Sequence, residues 1–102
     1  MDIQRLRNLT TGKLHTDICY VYEDLELITG EKGLMTHMLP RAAEAITPWL
    51  KKNVTDVRFW DGEYDTTHTG DYVLPDPTDE ERKEMFNLYA AMPNPFHKKE
   101  VE

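Results

Sequence analysis

The sequence lacks several features on which whole classes of protein depend. It contains no serine, which excludes every serine nucleophile, and its single cysteine, Cys19, excludes an internal disulfide. No apolar run is long enough to span a bilayer, and neither form of glycine-rich phosphate loop occurs. Basic residues are also few, since 12 Lys and Arg stand against 19 Asp and Glu, for a net charge of −7. We therefore expect no cofactor, no direct contact with nucleic acid and no membrane association.

What remains is the composition of a small globular protein. The 102 residues are 39% hydrophobic and 30% charged, which suits one domain and leaves a homo-oligomer open, because a chain this short buries a limited core. We expect a single α-rich domain over residues 1–92 and a frayed polar tail over residues 93–102. One cysteine fits a reducing compartment, and residues 1–8 lack the apolar centre of a secretory signal.

Apolar periodicity predicts a mostly α fold. Three to four helices are expected, at about residues 2–9, 16–29, 39–52 and 78–92. The second is the clearest, with Thr16 as its predicted N-cap and Gly30 at its end. Its apolar residues recur at helical spacing: Ile18, Val21, Tyr22, Leu25 and Ile28.

Two prolines and one capping box predict details of the later helices. Pro40 suits the first turn of the third helix, where its missing N–H is not needed. Pro48 predicts a kink in that helix or an early end, because an interior proline removes a backbone hydrogen bond. Thr78 followed by Glu81 is a capping box and predicts the start of the last helix.

The stretch between the third and last helices is compatible with two structures. Around Asp61-Gly62 it resembles a short β-hairpin, since Asp-Gly favours the tight turns that join two strands. An ordered irregular loop over residues 56–74 is the alternative. The same stretch holds the charge: residues 56–84 contain ten acids and three bases, which equals the whole net charge of −7.

Aromatic residues lie among these acids, and together they predict a surface for a basic protein partner. The alternatives are a solvated acidic loop and rings that cap the helical core. The candidate partner-binding residues are Trp60, Asp61, Glu63, Tyr64, Asp65 and Asp71.

Histidine and cysteine give weaker signals. His15, His37, His68 and His97 have no spacing typical of a metal site, so no metal is expected. His68 and Asp71 are close enough in sequence for a general base and its carboxylate, but a local turn is the favoured interpretation. Cys19 is expected to pack into the core as a small apolar residue.

Three ordered motifs carry a family resemblance: residues 9–14 (LTTGKL), residues 21–25 (VYEDL) with residues 29–31 (TGE), and residues 36–42 (THMLPRA). In this order they resemble a family of small uncharacterised proteins encoded by bacteriophages and prophages, over the first half of the chain. The resemblance implies a phage accessory protein in the bacterial cytoplasm, and no catalytic residue can be carried over from it. Within the third motif, Thr36, His37, Pro40 and Arg41 are favoured as fold-defining residues.

The leading hypothesis is thus a non-catalytic phage or prophage accessory protein. Its acidic aromatic surface would bind a basic host or phage protein, such as a nucleic-acid-handling defence complex, in the manner of an anti-CRISPR protein or a DNA mimic. One alternative is an oligomer that sequesters a nucleotide or other small ligand, with Lys13, His37 and Arg41 lining the pocket. The other is a small enzyme that uses His37 or His68 as a base.

Overall fold

Four α-helices and two short 3-10 helices form the computed structural model, which describes residues 1–92. The helices are α1 (Ile3–Thr11), α2 (Ile18–Thr29), α3 (Leu39–Asn53) and α4 (Asp79–Ala91). The 3-10 helices are Thr36–Met38, directly before α3, and Val57–Phe59. The predicted mostly α fold is confirmed, whereas the predicted tail, residues 93–102, lies outside the described residues.

The N-cap of the second helix lies one residue later than predicted. Asp17 is its N-cap, and the Asp17 carboxylate accepts a hydrogen bond from the backbone N–H of Cys19 (3.0 Å). Thr16 as the cap was wrong, because its hydroxyl accepts instead from the side-chain amide of Asn8 (2.7 Å) and so joins this loop to α1. Gly30 ends α2 as expected, in the left-handed conformation (φ 76°) that glycine adopts without strain.

The third helix continues through its interior proline. Pro40 lies in the first turn as predicted, but α3 runs past Pro48 to Asn53, so the early end was wrong. The physical reason is burial on the far side of the proline: Trp49 is 7% exposed and Leu50 is fully buried. Packing these two side chains offsets the one hydrogen bond that Pro48 cannot donate.

The last helix is well capped and poorly buried. Its capping box is confirmed, since the Glu81 carboxylate accepts from the Thr78 N–H (2.9 Å) and the Thr78 hydroxyl accepts from the Glu81 N–H (3.1 Å). Of the apolar side chains on α4, Met85 is buried, while Phe86 and Leu88 are 55% and 43% exposed. The helix therefore touches the core through a narrow stripe.

The core lies where α1, α2 and α3 meet. On α2, Val21, Leu25 and Ile28 are buried as the stripe predicted, but Ile18 is exposed because it occupies the first turn, outside the packed region. The buried apolar cluster also includes Ile3, Leu6, Leu9, Leu39, Ala42, Ile46, Trp49, Leu50, Val54, Phe59 and Met85.

Between α3 and α4 the chain is an ordered irregular loop. Within the described residues it contains no named strand, so the hairpin was wrong: Val57–Phe59 forms a 3-10 helix, and the Phe59 side chain is fully buried. A single antiparallel bridge, Asp2 with Asp71, ties the loop to the start of α1. There Ile3 N–H donates to the Gly70 carbonyl (2.8 Å).

Candidate functional site

One buried arginine organises residues 56–68, which we call the Arg7 loop. The Arg7 side chain is 0% exposed, and its guanidinium donates to the carbonyl oxygens of Arg58 (2.7 Å) and Glu63 and to Nδ1 of His68 (2.9 Å). A carboxylate oxygen of Asp61 lies 3.5 Å from it. Because a guanidinium offers five donors in a fixed plane, Arg7 holds separated points of the loop in one arrangement.

The histidine in this loop is held neutral. Arg7 can only donate, so Nδ1 of His68 accepts and the ring proton is on Nε2. Burial first, and then the nearby Arg58 and Arg7 charges, lower the pKa of His68. Nε2 is buried, has no hydrogen-bond partner and lies 3.8 Å from the nearest Asp56 oxygen. That distance exceeds hydrogen-bond reach, so His68 does not have the geometry of a general base paired with a carboxylate.

The Asp56 carboxylate interacts with the nearby Arg58. Its carboxylate caps the 3-10 helix by accepting from the Arg58 N–H (3.0 Å), and it forms an ion pair with the Arg58 guanidinium (2.9 Å). The side-chain hydrogen bonds from Arg58 lower the pKa of Asp56 to about 2. The two groups are therefore both charged at neutral pH and cancel each other at the surface.

The two predicted aromatic residues differ in exposure, and a lysine faces each ring. Trp60 is half-buried, donates from its indole N–H to the Val54 carbonyl (2.8 Å), and has the Lys51 ammonium 5.8 Å from its ring centre. Tyr64 is 62% exposed and has the Lys13 ammonium at 5.3 Å. Trp60 thus helps to pack the loop, and Tyr64 is the ring available to a partner.

The carboxylates of the predicted partner-binding surface lie in two separate parts of the structure. Asp61 and Asp65 cap local turns, accepting from the N–H groups two residues onward, and the exposed Glu63 lies between them on the Arg7 loop. Asp71 lies apart, at the bridge to α1. The structure brings the first three together and leaves Asp71 outside that group.

Cations from elsewhere in the fold balance the negative charge around the Arg7 loop. Residues 56–70 contain four acids and one base, a balance of −3. Three cations contact this region from outside: Arg7, Lys13, which donates to the Gly62 carbonyl (2.6 Å), and Lys51. Close to the Arg7 loop, the formal charge is therefore near zero.

The remaining negative charge lies in residues 71–84, which we call the acidic stretch. It contains six acids and two bases, a balance of −4. Only Glu81 is paired, with the Lys52 ammonium at 3.8 Å. The other five are exposed and make no ion pair with a described residue: Asp71, Asp76, Asp79, Glu80 and Glu84.

The residues of the predicted ligand pocket have separate roles. Lys13 contacts the Arg7 loop, as described above. Arg41 donates to the Tyr89 carbonyl (3.0 Å) and stacks on the Tyr89 ring (4.3 Å), so it caps α4. His37 is exposed on the 3-10 helix before α3. Lys13 and Arg41 thus contact different parts of the fold, at opposite ends of residues 62–89.

The structure also bears on the expectations for Cys19, for a metal site and for a membrane-spanning helix. Cys19 is exposed on the first turn of α2, so its assignment to the core was wrong. Within residues 1–92, no group of three His, Cys, Asp or Glu side chains is arranged to hold a metal ion. The same residues include no helix both long and apolar enough to cross a bilayer.

Two buried charged residues were missed by the sequence analysis, although their spacing signals them. Arg7 follows Ile3 by four residues, and Asp24 follows Val21 by three, so both fall on buried faces. Asp24 accepts from the Arg5 guanidinium (2.6 Å), and burial still raises the pKa of its carboxyl. A charged residue at helical spacing from apolar residues was the signal in the sequence that could have identified both.

These features define a small, mostly α protein with an internally balanced loop and an exposed acidic surface. The chain belongs to the family described as a domain of unknown function (DUF7736), whose model matches residues 1–60. That match includes α1, α2 and α3 in full and ends inside the Arg7 loop, before the acidic stretch. No curated protein and no solved structure was found to match the chain.

Proposed function

We propose that this protein is a non-catalytic accessory protein of a bacteriophage or prophage that binds a basic protein. The supporting observation is the set of five exposed carboxylates in the acidic stretch without an ion pair among the described residues. An uncompensated surface of one sign attracts a surface of the other and raises the rate of encounter. The phage context and a bacterial cytoplasmic location rest on the motif resemblance in residues 9–42.

The structure favours the acidic stretch over the Arg7 loop as the binding surface. Charges in the loop have cations beside them, as Asp61 has Arg7, and a partner would have to displace those cations. Glu80 and Glu84 are one helical turn apart on α4, so they lie on the same face and meet a partner together. Among the predicted site residues of the loop, Asp61, Glu63 and Tyr64 are exposed.

The rim of a groove places these carboxylates beside apolar surface. Glu80, Glu84 and Leu88 line one flank of α4, opposite Pro48 and Trp49 of α3. Charged groups at a rim with apolar groups inside are the usual arrangement of a protein-binding surface. By contrast, the nucleotide alternative loses its support, because Lys13 and Arg41 are engaged with different parts of the protein.

Capture from lysate of phage-infected host cells, at low and moderate salt, tests this proposal. Immobilised wild-type protein is compared with the double variant Glu80→Gln, Glu84→Gln and with the matched variant Asp61→Asn, Glu63→Gln. We expect basic proteins to be retained at low salt, lost at moderate salt, and lost with the α4 variant. Retention that ignores both salt and the α4 variant contradicts the proposal.

A further inference from the structure

A small apolar cavity lies on the other flank of α4, between α4, α3 and the loop after α2. Its volume is about 140 Å³. Ala42 and Ala45, each 2% exposed, and Met85, 3% exposed, form its deepest part. Leu34 and Met38 line the side towards α2. Two alanines facing a methionine leave space that larger residues would fill.

The size of the cavity limits its occupant to about one ring. Pockets for drug-sized ligands span roughly 300–1,000 Å³, so a nucleotide is too large for this one. An apolar cavity of about 150 Å³ is enough for benzene. Methionine walls, here Met38 and Met85, adapt to the shape of a ring because the side chain is unbranched and polarisable.

The rim indicates that the ring belongs to a protein. Phe86, which is 55% exposed, lines the cavity, and so do the exposed Glu31 and Lys32. A free ring in the cavity leaves the outer edge of Phe86 in water, whereas a protein surface covers it. An enclosed apolar centre with an aromatic edge and charged neighbours is the anatomy of an interface pocket.

We propose that this cavity binds one aromatic side chain of the basic partner, an inference that rests on the proposed function. Ala45 and Met85 line both the cavity and the groove that carries Glu80 and Glu84, so the two sites adjoin beneath α4. The partner therefore presents an aromatic residue with lysine or arginine close to it. The aromatic residue supplies buried area, and the cations supply selection.

Methionine methyl resonances test this directly. The chain has five methionines, of which Met38 and Met85 line the cavity, while Met1, Met35 and Met92 are internal controls. A ring in the cavity shifts the two lining methyls by its ring current. We expect saturable shifts of those two with toluene and with a blocked tripeptide of phenylalanine between two lysines, and none with the tripeptide that has alanine in the centre.

Matched variants locate the site. Ala42→Leu fills the cavity and is expected to weaken both probes by about tenfold or more, whereas Ala43→Leu, one residue along α3 and outside the lining, is expected to keep them. Should Ala42→Leu fail to fold, Phe86→Ala removes only the exposed rim and is expected to weaken the peptide more than toluene. Shifts in all five methionines, or in none, overturn the site, and shifts with toluene alone overturn the protein partner.

The double variant Glu80→Gln, Glu84→Gln separates this inference from the proposed function. We expect it to leave the toluene shifts unchanged and to weaken only the binding of the tripeptide with phenylalanine between two lysines. Unchanged binding of both probes would refute the acidic surface while retaining the cavity. Loss of the toluene shifts in this variant would refute the separate cavity.

Discussion

Residues 1–60 and residues 61–92 are held in place by different forces. In the first region, three helices bury a continuous set of apolar side chains. Four of these side chains are fully buried: Leu6, Leu25, Ile46 and Leu50. In the second, Met85 is the buried apolar side chain of α4, while Tyr72, Leu74 and Tyr89 pack partly buried against the core. Polar contacts hold the Arg7 loop and both ends of α4. The family match covers the first region and leaves α4 outside.

Three arginines make several of those polar contacts. Arg7 holds the Arg7 loop, Arg41 donates to the Tyr89 carbonyl at the end of α4, and Arg82 of α4 donates to the carbonyls that end α2. Carbonyls at a helix C-terminus lack backbone partners, so a guanidinium there satisfies them and complements the helix dipole. One region therefore supplies most of the buried apolar area, and the other presents exposed charge.

The largest expected effect comes from removing the buried cation. Arg7→Met leaves the carbonyls of Arg58 and Glu63 and Nδ1 of His68 without their donor, and we expect the free energy of unfolding to fall by about 3 kcal/mol. Urea unfolding measures it. Lys13→Met, which removes an exposed cation that contacts the same loop, is the matched control and is expected to cost less than about 0.5 kcal/mol. Equal effects of the two variants would contradict the role of Arg7.

The next effect tests the narrow contact of α4. Met85→Ala removes its buried apolar side chain and is expected to cost about 2 kcal/mol, because it enlarges the space above Ala42 and Ala45. Phe86→Ala, at the adjacent exposed position, is expected to cost well under half as much. Thermal unfolding of the two variants compares them, and a larger loss for Phe86→Ala would show that α4 packs through a different face.

A smaller effect separates the two regions. Thr78→Ala removes the capping box of α4, which we expect to cost about 1 kcal/mol. Amide hydrogen exchange should accelerate in α4 and stay unchanged in α1 and α2, since the cap acts on one helix. Uniform acceleration across all four helices would mean that α4 unfolds only with the core.

The smallest effect is a dependence on pH. His68 faces Arg7, Arg58, Asp56 and Asp65, and its pKa is lowered in the folded state. The unfolded chain therefore binds a proton first as the pH falls through about 6.5, and stability falls from there towards the lowered pKa. His68→Gln, whose side-chain oxygen can accept from Arg7, is expected to flatten this slope.

A second histidine must be separated from it. The pKa of His15 is also lowered, chiefly by burial, so it contributes a slope of the same sign in the same range. Urea unfolding of His68→Gln and of His15→Gln between pH 5 and 7.5 resolves the two contributions. An unchanged slope in His68→Gln would contradict the neutral state assigned to His68.

How far the sequence predicts this molecule depends on the kind of interaction. Local signals succeeded: the helices follow apolar periodicity, Gly30 ends α2 and the Thr78 box starts α4, because these depend on residues a few positions apart. Around Asp61-Gly62 local signals allowed both a hairpin and a loop. The loop forms because Phe59 packs into the core and Arg7 binds the loop from α1, both over long sequence separations. Which acids remain without a nearby cation likewise depends on which basic residues fold against the Arg7 loop. No local sequence pattern encodes that.

The most direct test of the account neutralises equal charge in the two regions. Wild-type protein, Glu80→Gln with Glu84→Gln, and Asp61→Asn with Glu63→Gln are each titrated with polylysine by calorimetry at low salt. We predict that the α4 variant loses several-fold in affinity, while the loop variant stays close to wild type because cations already balance that loop. A greater loss in the loop variant would contradict the placement of the binding surface on α4.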